Sequence, residues 1–136
     1  MMLRMSPSGA LSPYHYKGGY FHGIHYGSYF DNKAELLSMM KAEEEYILKS
    51  PEQKRVMIDF YETNITPDIL EHFVEHIQRL SPRIIKLSIS TDKKVLRVIR
   101  RALFKGCSLG KGQMYFTPDM EEGKTWLVSD KYTPYW

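Results

Sequence analysis

RVMIDFYETNITPDILEHFVEHIQRLSPRIIKLSISTDKKVLRVIRRALF, from Arg55 to Phe104, reads as strand, helix, strand, helix. Val56-Met57-Ile58-Asp59-Phe60 is the short apolar run of a strand covered on both faces of a parallel sheet. Thr66-Pro67-Asp68 then starts a helix: the Thr66 hydroxyl caps it, Pro67 suits its first position, and Asp68 complements its positive end. Ile69, Leu70, Phe73, Val74, Ile77 and Leu80 follow at helical spacing, which buries one stripe and leaves Glu71, Glu75 and Gln78 in water; Ser81-Pro82 ends the helix. Ile84, Ile85, Leu87 and Ile89 make a second strand within Arg83 to Ser90. Thr91-Asp92 offers a cap to the next helix, whose apolar face is Val95, Leu96, Val98, Ile99, Ala102 and Leu103. Strands joined by a helix of this length must lie parallel, with a right-handed crossover.

The flanks extend this unit. Met1 to Pro13 has no period and is expected to be a mobile arm. Between Tyr14 and Phe30, tyrosines and phenylalanines alternate with Gly18, Gly19, Gly23 and Gly27, which predicts a bent first strand within Tyr20 to Tyr29, with a turn or bulge. Asp31 or Asn32 caps a first helix with Ala34, Leu37, Met40 and Ile47 or Leu48 inward and Lys41, Glu43, Glu44 and Lys49 wet; Ser50-Pro51 stops it. Met114-Tyr115-Phe116 is a last strand. Thr117-Pro118-Asp119 repeats the earlier cap before a short helix with Met120, Trp126 and Leu127 on its apolar side. The expected fold is α/β, a single domain over 14–130 in the order β-α-β-α-β-α-β-α, with a mostly parallel central sheet flanked by helices. Residues 131–136 are an aromatic tail carrying Tyr132, Tyr135 and Trp136.

A chain of 136 residues can bury a core without staples. The single cysteine, Cys107, excludes an internal disulfide. No apolar run reaches the roughly 20 residues of a membrane span, and the first thirty residues lack the apolar middle of a signal peptide, so a cytoplasmic protein is expected. The net charge of +3 is mild, but from Arg83 to Lys111 the basic residues face Asp92 alone, whereas Lys41 to Glu45 is mainly acidic.

The element order and three local features resemble the STAS domain family, in its SpoIIAA-like branch. These features are the strand Val56 to Phe60 running into a capped helix, the strand Ile84 to Ser90 followed at once by an apolar-basic helix, and the ending from Tyr115 through Trp126-Leu127. The resemblance covers roughly Gly23 to Ser129 and implies a STAS-like fold and a mostly non-enzymatic, regulatory role through protein partners. Some members are switched by phosphorylation of a serine at the start of the helix after the central strand. The nearest position here is Pro67, which cannot be phosphorylated; Thr66 could substitute, or act only as a cap.

His72 and His76 have metal-ligand spacing but lack the zinc-protease pattern, with His22, His25 and Cys107 as the other donors; two solvated histidines are the ordinary alternative. Gly106 to Gly112 is a helix-to-strand connection rather than a phosphate loop, and no cofactor is expected. Asp59, with Glu62 nearby, ends a central strand, where open parallel sheets place ligands.

The strongest surface feature is basic. Lys94, Arg97, Arg101 and Lys105 recur at intervals of three and four and form one stripe. With Thr66 they are the expected binding face for an acidic protein partner or an anionic lipid; no nucleic-acid motif accompanies them. The expected function is therefore a non-enzymatic interaction module. The alternative is a binder of a small anionic or lipid-like ligand in a pocket beside the aromatic first strand, with Tyr26, Asp59 and Tyr61 as pocket candidates. A homodimer through that strand as a sheet edge also stays open.

Overall fold

In chain order the strands are β1 (Arg4–Met5), β2 (Leu11–Ser12), β3 (Tyr14–Tyr16), β4 (Gly19–His25), β5 (Lys54–Asp59), β6 (Ile84–Ser90) and β7 (Met114–Phe116). The helices are α1 (Lys33–Leu48), α2 (Pro67–Leu80), α3 (Lys93–Gly106) and α4 (Met120–Leu127). This computed structural model describes residues 4–130, so the expected aromatic tail lies outside the described residues. Strands β3 to β7 form one five-stranded sheet in sequential order, with β3 antiparallel to β4 and every other pair parallel. The fold is thus α/β, and the expected alternation of strand and helix runs from β4 to α4.

Sequential strand order has a geometric consequence. Right-handed crossovers that never reverse direction place their helices on one face, and α1 packs on α2 and α2 on α3. Under these helices lies the main core, which includes Ile24, Tyr26, Ile58, Phe60, Phe73, Ile77, Ile89 and Ile99. On the opposite face α4 covers β5, β6 and β7, and Phe21, Met57, Leu127 and Val128 form a second cluster. The α4 helix lies close enough that a Cβ on Gly123 would fall 2.5 Å from Ser88 Oγ.

Several sequence expectations change. The predicted first strand is β4, but over Gly19–Phe21 it is not an edge: β3 pairs with it there through the two-residue turn Lys17-Gly18, whose φ values of 45° and 85° suit a twisted hairpin. The dimer edge expected there is therefore occupied by Tyr14–Tyr16. Residues 4–13, expected as a loose arm, form the hairpin β1-β2, which turns at Gly9 (φ 93°) and lies against β4. A two-residue strand is too short to show a period, so the pattern could not be read.

In α1 the buried residues are Leu36, Met40, Glu43 and Ile47 rather than Ala34 and Leu37, with Asn32 as the cap. Before α4 it is Asp119, not Thr117, that caps, accepting from the amides of Glu121 and Glu122. Val98, expected in the apolar face of α3, is 47% exposed.

Candidate functional site

The basic stripe is where the spacing puts it. Leu96, Ile99 and Leu103 anchor α3 to the core, which leaves Lys94, Arg97, Arg101 and Lys105 exposed on the outer side. None of them has a carboxylate partner among the described residues. Elsewhere Lys33, Arg55, Arg79, Lys86 and Lys124 are each paired with an Asp or Glu. Thr66 serves as the cap of α2: its hydroxyl donates to Asp68 and accepts from the Ile69 amide at 3.4 Å.

The three proposed pocket residues are neighbours but do not together line any of the hollows described below. Tyr26 is fully buried among Phe60 and Phe73, and its hydroxyl meets His76 Nε2 at 2.8 Å. Asp59 accepts from His25 Nδ1 at 2.9 Å. Its carboxyl is pushed up by burial, against the pull of that hydrogen bond. Tyr61 donates to the Pro118 carbonyl and so links the loop after β5 to the loop before α4. Gly27 has to be glycine here, because a Cβ would stand 2.4 Å from Asp59 Oδ2 and 2.7 Å from the Tyr61 carbonyl.

His72 and His76 separate as well. His72 is exposed, whereas His76 is 1% exposed and donates from Nδ1 to Glu44 Oε1 at 2.8 Å; Arg79 Nε holds the second Glu44 oxygen at 2.8 Å. Among the described residues no group of three His, Cys, Asp or Glu could hold a metal ion. The relay Tyr26, His76, Glu44, Arg79 fixes the tautomer: Nδ1 carries the proton and Nε2 accepts the tyrosine's. Burial keeps the Tyr26 hydroxyl protonated by raising its pKa well above 10.0, and burial pulls His76 below its ordinary 6.5 despite the Glu44 carboxylate. Tyr26→Phe leaves the buried Nε2 without a donor and is expected to cost about 1–3 kcal/mol in urea unfolding. Because folded His76 binds its proton less readily than the unfolded chain, its neutral form stabilises the fold fully above pH 6.5 and loses that contribution as pH falls below it.

A second buried chain was not expected from the sequence. Glu43, 0% exposed, accepts from His22 Nε2 at 2.9 Å on Oε1, and from the Ser8 amide at 2.9 Å and the Ser8 hydroxyl on Oε2. On its other side His22, 2% exposed, meets Ser12 Oγ at 2.6 Å through Nδ1. Burial would raise the Glu43 carboxyl, but the hydrogen bonds from His22 and Ser8 outweigh it and hold it below the ordinary 4.5. The spacing 36, 40, 43, 47 was the available signal, since it places Glu43 in the helical stripe of its apolar neighbours.

Among the hollows on this frame, three differ in charge. One, of about 280 Å³ at the carboxyl ends of β5 and β6, presents Asp31, Glu62 and Asp92 and no cation. A second, of about 210 Å³, is mainly apolar and lies between the β1-β2 hairpin and α4 beside His25 and Asp59. The third, of about 370 Å³, is at the amino ends of β4 and β5 next to the end of α1, where Lys49, Lys54 and Arg55 converge with Tyr20, Phe21 and Tyr46. Sequential strand order leaves no point at which the sheet reverses, so the hollow at the carboxyl ends is not a switch-point crevice. No helix among the described residues is long and apolar enough to cross a membrane. Comparisons with protein-family models, with curated proteins and with solved structures found no match for this chain.

Proposed function

We propose that the protein is a non-catalytic interaction module of STAS-like fold that docks an acidic surface of a protein partner on the outer face of α3. One observation carries the reading: Lys94, Arg97, Arg101 and Lys105 are exposed on one helix without a carboxylate partner among the described residues, and Val98, 47% exposed, stands among them. Like charges held together on a helix repel one another, and an acidic partner relieves that repulsion. An exposed aliphatic side chain inside a charged rim is how the centre of an interface is built. Thr66 is left out of the docking face, because its hydroxyl is committed to Asp68 and Ile69. The STAS-like reading draws support from the alternation of strand and helix between β4 and α4.

The test is quantitative mass spectrometry of proteins retained by the wild-type chain and by Arg97→Glu/Arg101→Glu. The expected result is loss of an acidic protein from the variant by at least about tenfold. Its retention on the wild type should also fall between about 0.1 M and about 1 M salt, where the screening length shrinks from about 10 Å to about 3 Å. Retention of every partner by the charge-reversed chain overturns the surface, and recovery of nucleic acid in place of an acidic protein overturns the partner class.

A further inference from the structure

We infer that the hollow of about 370 Å³ at the amino ends of β4 and β5 is a binding site for a small aryl carboxylate or aryl phosphate, independent of α3. Its lining divides by chemistry. Tyr20 and Tyr46 give an aromatic wall, and Tyr46 is held in place by stacking on the buried His22 ring at 5.5 Å between centroids. The buried relay behind that wall is a rigid backing, because His22 is fixed at both nitrogens, by Ser12 and by Glu43.

The polar side is cationic. Lys49, Lys54 and Arg55 line the hollow with Glu52, whose carboxylate is a loose 3.9 Å from Lys54 Nζ, while Asp130, outside the lining, takes Arg55 Nη2 at 2.7 Å. Three cations against two carboxylates leave a positive balance. The Arg55 side chain is only 10% exposed, and its buried Nε–H has no acceptor among the described residues. An unpartnered guanidinium N–H in a buried setting costs free energy that an anionic oxygen recovers, and a planar guanidinium suits carboxylate and phosphate oxygens.

The size agrees, since small-molecule sites begin at about 300 Å³ and combine an apolar wall with a few placed polar groups. The other two hollows differ: one is acidic, and in the other the single lysine, Lys124, is already paired with Glu121 at 3.0 Å and stands with Asp59. The ligand class follows from the lining, with a ring for the tyrosines and an oxyanion for Arg55 and Lys54.

The test is a titration of the ¹⁵N-labelled full chain with phenyl phosphate, benzoate, benzyl alcohol and inorganic phosphate, followed by two-dimensional NMR. Phenyl phosphate and benzoate are expected to give saturable shifts centred on Tyr20, Ser50, Lys54 and Arg55, while benzyl alcohol and inorganic phosphate bind at least about tenfold more weakly. Arg55→Gln is expected to weaken phenyl phosphate by about tenfold or more. Should Arg55→Gln lose the dispersed spectrum of a folded chain, Lys54→Gln is the replacement and is expected to weaken binding in the same direction. Arg97→Glu/Arg101→Glu should bind phenyl phosphate as the wild type does, which separates this site from the docking face. Shifts centred on α3, no saturable shift, equal binding of inorganic phosphate, or unchanged affinity in the folded pocket variant would each overturn the assignment.

Discussion

Glu43→Ala is expected to lower the stability of the protein by about 3–5 kcal/mol, because it removes one member of a buried, paired set and leaves the others buried alone. Three donors converge on this carboxylate: His22 Nε2–H, the Ser8 amide and the Ser8 hydroxyl. Alanine satisfies none of them and opens a void where the side chain packed. Glu43→Gln should cost less, about 1–3 kcal/mol, for a reason tied to histidine chemistry. The Gln carbonyl still accepts from Ser8, and its amide can donate to His22 if the ring moves its proton to Nδ1 and donates to Ser12 instead. Urea unfolding at neutral pH measures both variants, and a Glu43→Ala protein within about 1 kcal/mol of wild type would show that the pair contributes little.

The same carboxylate gives a pH dependence whose sign is fixed. Its folded pKa lies below the ordinary 4.5, so its contribution is fully present above pH 4.5 and is lost as pH falls through the folded value. The stability of wild type should therefore fall more steeply below pH 4.5 than that of Glu43→Gln.

Glu43 also shows what could be read from this chain and what could not. Where apolar residues carry the period, as in Ile69, Phe73, Ile77 and Leu80 of α2 or the run Ile84 to Ser90, the elements fall where the spacing puts them. The reading fails where a polar residue occupies an inward position. Glu43 continues the stripe of Leu36, Met40 and Ile47, and His22 shares the inward alternation of Ile24 and Tyr26, yet both carry charge or polarity that argues for water. Each is buried because the other satisfies it, and a partner 21 residues away is not a local property of either stretch. His76 follows the same rule, lying inward beside Ile77 because Tyr26 and Glu44 complete its hydrogen bonds. The stripe on α3 was legible because solvent-facing charges need no partner. The aromatic hollow was not, because it is assembled from β4, the end of α1 and the start of β5, which only the sheet brings together.

Deleting residues 1–13 is expected to destabilise the protein by at least about 3 kcal/mol, the opposite of what a mobile arm would do. Two of the donors on Glu43 come from Ser8, and hydrogen bonds to a buried charge contribute about 1.5–3 kcal/mol each. Ser12, which satisfies His22 Nδ1, is removed with them. The deletion also uncovers β4 where the hairpin lies against it, since Ala10 Cβ sits 2.9 Å from where a Gly23 side chain would begin. A graded series apportions the loss. Ser8→Ala keeps the amide donor and removes the hydroxyl, so it should take a fraction of the effect, and combining it with Glu43→Ala should cost less than the sum of the two, the remainder being the bond that the Ser8 hydroxyl accepts from the His25 amide at 2.8 Å. Thermal unfolding of the truncated chain should move down by about 10 °C or more. A truncated chain as stable as the whole would return residues 4–13 to the status of an appendage. The truncation itself also removes part of the lining of the aryl-anion hollow, whose Ser12 and Pro13 belong to the same segment. The hairpin is thus predicted to be a working part of both the core and the ligand site, and a single truncation measured by unfolding and by phenyl phosphate titration tests the two together.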